Sequence, residues 1–240
     1  MDHVLLDVSD KIPEEAREAF SVLSGEVIWL REKWLNYQYL FGHSQERIDL
    51  LNQAGSSLFA MIHDNFIDDF ILGFSRLTDP AKGREDNLSL EQLLVVLDST
   101  KHAKIIASLR LKLENLRAKA KNLRKHRHKR VAHKDRRVAL SATDLLPPVS
   151  RGLIDDVLIE AEGFLTAFNL HFSGVTLLFD ELKIFRGADR LHCRLLKACA
   201  YDAFEIKGSG REYWYFLIAL SALTSVVILQ RLDQMLLQAM

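Results

Sequence analysis

Apolar residues recur along this chain in steps of three and four, the period of an amphipathic helix, for most of its length. The first series is Phe20, Leu23, Val27, Leu30, Trp34, Tyr37 and Phe41. Ile12-Pro13-Glu14-Glu15 opens it with an early proline and two acids in the first turn, and Gly42 closes it. Within it Trp34, Tyr37 and Phe41 keep the apolar phase and are expected in the core, whereas Tyr39 is off phase and expected to be exposed. Ser44 can cap a second helix through Ile48, Leu51, Leu58, Met61, Ile62, Phe66 and Phe70 to about Leu77, where Asp79-Pro80 stops it. Ala81 to Asn87 is a polar loop. Ser89-x-x-Gln92 has the form of a capping box opening a short helix from Leu90 to Leu97. A long helix is predicted from about Thr100, with Ile105, Ile106, Leu109, Leu113, Leu116 and Leu123 on one side. Pro147-Pro148 interrupts the second half, which then reads as helices over Gly152 to Lys183 and Gly187 to Tyr201. The fold class expected is all-α: an antiparallel bundle of about five to seven helices.

Composition agrees with that pattern. Hydrophobic residues make up 48% of 240, enough for a substantial core, and only four prolines and 11 glycines interrupt the helices. No alternating run argues for a sheet, and no internal repeat or low-complexity segment is present. The bundle is expected over 1–207. Gly208-Ser209-Gly210 is a hinge within the segment 208–240, whose apolar stretch Tyr213 to Leu229 runs 17 residues without a charge. That length is at the lower bound for a membrane span. It fits a helix buried in the bundle or at an oligomer interface, with a membrane anchor through 213–229 as the alternative. The N-terminus, M-D-H-V-L-L-D-V-S-D-K, has none of the pattern of a signal peptide. Cys193 and Cys199 are six apart, about 120° out of phase on one helix, and are expected to be unbridged buried hydrophobes in a reducing, cytoplasmic setting.

Charge changes the picture. The chain has 32 basic and 32 acidic residues, yet 11 of the cations and only one acid, Asp135, fall between Arg117 and Arg137. That run therefore carries +10 and everything else −10, which points to a polyanion-binding site. It also holds His126, His128 and His133. Imidazoles in a cationic patch can transfer protons near neutral pH, and arginine can brace a phosphate through two parallel hydrogen bonds. Metal-free RNA cleavage needs those parts: a base for the 2′-hydroxyl, an acid for the leaving oxygen and a cation for the phosphorane. On an unbroken helix Arg127 and His133 would lie about 120° apart. Pairing them requires a kink, a helix start or a second chain. His126 and His133 would share a face, but the surrounding positive charge opposes zinc, and no metal or cofactor is expected. A solvated basic face that only holds RNA or an acidic partner is the competing reading. Trp29, Trp34, Tyr37 and Tyr39 on the first helix invite base stacking, with core packing the better explanation for those in phase. Asp68 and Asp69 interrupt an apolar stretch, where one of two neighbours would point inward and could meet the basic run or a histidine, with an ordinary helix-surface acid the better explanation for either one singly.

R-H-K-R-V-A-H-K-D, Arg127 to Asp135, resembles the R-(N/D/H)-x(3–4)-H signature of HEPN domains (higher eukaryotes and prokaryotes nucleotide-binding). F-I-D-D-F-I-L-G-F-S-R-L-T-D-P (Phe66 to Pro80), N-L-S-L-E-Q-L-L (Asn87 to Leu94) and the basic motif follow in series as in the abortive-infection U-type branch. The resemblance covers roughly residues 25 to 190 and leaves out the apolar tail. It implies an all-α bundle and, in active members, a metal-independent endoribonuclease acting in phage defence or as a toxin. It also implies a homodimer whose site forms where two chains meet, each giving an arginine and a histidine. Those roles fall on Arg127 and His133, with His128 as the polar residue after the arginine. Arg124, Lys125, Lys129, Arg130 and Lys134 are the expected RNA contacts, and Asp135 and Asp69 the expected supporting acids. Many toxin members carry, two residues after the motif histidine, a tyrosine modified by a partner nucleotidyltransferase. Asp135 stands there in this chain, which counts against that form of antitoxin control.

Overall fold

The computed structural model describes residues 9–81, 87–131, 146–181 and 187–207. These form seven α-helices: α1 (Glu14–Tyr37), α2 (Gln45–Thr78), α3 (Gln92–Val95), α4 (Ala103–Lys119), α5 (Lys121–His126), α6 (Arg151–Ser173) and α7 (Ala188–Lys207). Single π-helical turns extend α1 over Gln38–Gly42 and α5 over Arg127–Val131. No strand occurs among the described residues. The predicted hinge at 208–210 and the segment Tyr213 to Leu229 lie outside them. Among the described residues no helix is long and apolar enough to cross a membrane.

The cross-helix contacts fix the directions of α1, α2, α4 and α6. Trp34 meets Phe70 and Tyr37 meets Phe66, so α1 and α2 run antiparallel. Phe20 stacks on Phe168 while Trp34 Nε1 donates to Asp155 at 2.8 Å, so α1 and α6 are antiparallel too. His102 packs on Phe172 at one end of the α4–α6 pair, and Lys119 meets Glu160 at 2.8 Å toward the other. One continuous core joins α1 to α6 through Phe20, Trp34, Phe70, Phe74, Leu109, Leu113, Phe164 and Phe168. A smaller cluster of Leu40, Leu51, Phe59 and Ala188 ties the start of α2 to α7.

Helix ends follow local chemistry. Ser44 caps α2 by accepting from Arg47 N at 3.4 Å, and Ser150 caps α6 by accepting from Leu153 N at 3.1 Å. Asp79 is extended (φ −62°, ψ 151°), as the following Pro80 requires, and α2 stops there. α6 ends ten residues before the predicted Lys183, because Gly174 adopts the left-handed conformation (φ 76°) and returns its N–H to Leu170 O at 3.0 Å. Only glycine takes that φ without strain, so Gly174→Ala is expected to lower unfolding stability by about 1–2 kcal/mol. The urea midpoint should fall with no change of slope.

Other expectations need correction. Leu58 and Met61, predicted on the buried stripe of α2, are exposed, and Phe59 is buried instead; the helix kinks at Gly55 (φ 166°, ψ 72°), which resets its phase. The capping box at Ser89 does not form. Ser89 Oγ is buried without a hydrogen-bond partner among the described residues, and α3 is a single turn. The long helix from Thr100 begins at Ala103 and is interrupted at Ala120 (φ −72°, ψ −3°). Tyr39 is half-buried, with the Arg47 guanidinium 4.0 Å from its ring centroid. Cys193 is exposed and Cys199 half-buried, both unbridged, because α7 lies at the margin of the bundle.

Candidate functional site: an arginine clamp on the end of helix α2

The last carbonyls of a helix have no partner within it, and its C-terminus carries partial negative charge. At the end of α2 two arginines of the basic run supply partners for these carbonyls, and a third, Arg127, adds its charge through the Asp79 side chain. Arg117 Nε donates to Thr78 O at 3.0 Å, and Arg124 Nη1 donates to the same carbonyl at 3.2 Å. Arg117 Nη2 also reaches Asp79 O at 3.3 Å. Arg117 sits in the last turn of α4, Arg124 in α5 and Arg127 at the start of the π-helical turn, so three successive segments of the basic run bring an arginine to one helix end.

The Asp79 side chain is the hub of this clamp. Only 9% of the residue is exposed. Arg127 Nη1 donates to both of its carboxylate oxygens, at 2.9 and 2.7 Å, and Arg124 Nη2 donates to Oδ1 at 3.2 Å. Glu91 closes the far side, accepting from Arg117 Nη2 at 3.0 Å and from Ala81 N at 2.9 Å. The Arg117 hydrogen bond holds the Glu91 carboxyl below its ordinary value of 4.5. A carboxylate held low in the folded state contributes stability above its unfolded value, and that contribution is lost as pH falls through the folded value. Wild-type stability should therefore drop below about pH 4.5, and Glu91→Gln should flatten that limb. Urea midpoints measured from pH 7 down to pH 3 check this.

The next residues change helix type. The π-helical turn Arg127–Val131 begins at Arg127, so the regular α-helical phase of α5 ends there. Arg130 forms an ion pair with Asp68 on α2. His128 is exposed, as are Lys125 and Lys129. His126 points the other way: it is 9% exposed and donates from Nε2 to Pro147 O at 2.6 Å. Its Nδ1 is buried without a partner among the described residues. His133, Lys134 and Asp135 lie outside the described residues. Among those described, no group of three or more His, Cys, Asp or Glu is arranged to hold a metal ion.

Two features of the site differ from the sequence reading. Of the eight described Lys and Arg residues in the run, at least five have carboxylate partners in the chain itself. Much of the charge sorted along the sequence is thus recombined in space. Asp69, expected to support the basic run, pairs instead with Lys33 of α1; the acid that meets the run is its neighbour Asp68. Adjacent residues on a helix point about 100° apart, so the two acids face different neighbours. Asp79, read only as a helix stop, and Glu91 were not recognised as site residues. One signal was available: an aspartate at a helix C-terminus faces the unfavourable end of the dipole and asks for cations nearby.

A family model with the description AbiU2, of the HEPN class, matches residues 13–191. The chain belongs to the HEPN AbiU2 family. The matched span runs from the start of α1 into α7 and contains Arg127, His128, His133 and Asp135, while 213–229 falls beyond it. No curated protein and no solved structure matches this AbiU2-family chain.

Proposed function

We propose that this AbiU2-family protein is a metal-independent endoribonuclease of abortive infection, cleaving RNA by attack of a 2′-hydroxyl on the adjacent phosphate. The observation that carries the reading is Arg127. It stands at the start of the R-H-x(4)-H motif, begins the π-helical turn, and is held at the mouth of the clamp by a carboxylate that takes only its Nη1. In this reading Arg127 braces the phosphate, and His133 exchanges the proton of the 2′-hydroxyl or of the leaving 5′-oxygen. His128 lies alongside as an exposed polar group. Lys125, Lys129 and Lys134 contribute charge along the RNA backbone, whereas Arg124 and Arg130 act through the carboxylates they already hold. The reacting pair comes together across a homodimer, which supplies the histidine that a single helix would turn away from Arg127.

The test is incubation of purified protein with a mixed RNA pool in EDTA, beside the same sequences carrying 2′-O-methyl groups. Cutting of the unmodified RNA alone supports the reading, because the methyl group removes the nucleophile. Cutting of both, or of neither with binding that weakens steeply as salt rises, contradicts it; the latter identifies a non-catalytic RNA-binding bundle.

A further inference from the structure

We infer that Asp79 is the positioning residue for Arg127 in the reaction proposed above, an inference that rests on that reading. Asp79 lies 48 positions before Arg127 and outside the R-H-x(4)-H motif. Its location is unfavourable for helix α2 taken alone, because a carboxylate at a helix C-terminus meets the negative end of the dipole. Two guanidinium groups compensate it, and the bonds to Arg127 are the shorter ones, 2.7 and 2.9 Å against 3.2 Å to Arg124.

The geometry of that contact suits positioning rather than neutralisation. Arg127 gives Asp79 a single nitrogen, Nη1, so the Nε–Nη2 edge of the fork takes no part in the carboxylate contact. That edge offers two parallel N–H groups, the arrangement that matches a phosphate. Charge is also conserved for an anion. Arg117, Arg124 and Arg127 carry three positive charges and Asp79 and Glu91 two negative ones, leaving a net excess of +1 at the clamp. Asp79 is itself anchored at both ends: its side chain by Arg124, and its backbone carbonyl by Arg117. A long, otherwise mobile side chain is thereby tied to the rigid end of α2, and the rotamer freedom lost on binding RNA is lost beforehand.

Asp79→Asn is expected to lower the single-turnover rate of RNA cleavage by about 10–100-fold, the effect of misplacing a catalytic group by about an ångström. Affinity for 2′-O-methyl RNA should be unchanged or tighter, since a negative charge has been removed beside a polyanion site. Loss of fold would weaken both, so this split separates positioning from structural damage. Asp79→Glu keeps the charge and shifts it by one methylene, and its rate should fall between those of wild type and Asp79→Asn. It also preserves the test if the asparagine variant does not fold. In an Arg127→Ala background, Asp79→Asn should have no further effect on the residual rate, because the residue it positions is gone. Wild-type rates from both Asp79 variants, or an equal loss with and without Arg127, would overturn the inference while leaving the ribonuclease reading intact. Uncut RNA from the wild type would overturn both.

Discussion

Arg127→Ala is expected to reduce RNA cleavage by about 10²–10³-fold, the usual consequence of removing one group that stabilises charge in a transition state. The protein should remain folded. Asp79 keeps Arg124 as its partner, and Thr78 O keeps Arg117 and Arg124, so the end of α2 stays satisfied. The pair is partly exposed to solvent, and its loss should cost no more than about 1 kcal/mol. Arg127→Lys should restore little activity. An ammonium cannot hold the Asp79 carboxylate through one nitrogen while presenting a planar two-donor edge to a phosphate. Rates under single-turnover conditions, with thermal melts on the same preparations, check both halves of the expectation. A folded Arg127→Ala protein that cuts at the wild-type rate would remove Arg127 from the chemistry.

The largest effect on stability is expected where α1 packs on α6. Arg31 of α1 donates from Nε and Nη2 to the two Glu162 oxygens of α6, at 2.6 and 2.5 Å, with only 12% and 11% of the two side chains exposed. Two parallel hydrogen bonds between opposite charges offset the cost of taking both out of water. Arg31→Met leaves the Glu162 carboxylate buried beside the core without its cation. Loss of one partner from a buried pair costs about 3–5 kcal/mol, and the residual exposure here favours the lower end. A domain of this size should then melt about 6–12 °C lower. Glu162→Leu should be milder, because Arg31 still has Asp155 at 3.9 Å. Replacing both together should recover most of the loss, since two apolar side chains need no compensation. A double variant as unstable as Arg31→Met would mean that the pair contributes something beyond its charges.

How much of this the sequence disclosed depended on the range of the interaction. Elements whose signal is local were legible. Trp34 and Tyr37 kept the apolar phase and are buried, Ser44 caps as expected, and Asp79-Pro80 stops α2. Gly174 was passed over because the apolar periodicity continues on both sides of it, and only its backbone conformation reveals the helix end. The phase of α2 misled at Leu58 and Met61 because a kink at Gly55 cannot be read from periodicity. Arg127 stood out through its motif and charge. Its counter-ion did not, because the partners are 48 residues apart and Asp79 already had a sufficient local explanation as a helix stop. Long-range ion pairs of this kind also explain why a run that reads as +10 is, in three dimensions, partly a structural clamp.

The central claim, that the R-H-x(4)-H motif of this AbiU2-family chain cuts RNA without a metal, is tested most directly by the chemistry of the cut ends. Wild type and His133→Ala are incubated side by side with RNA in EDTA, and the 3′ termini of the products are identified. The account predicts 2′,3′-cyclic phosphate ends from the wild type and intact RNA from the variant. Identical products from both proteins, or 3′-hydroxyl ends from the wild type, would contradict it.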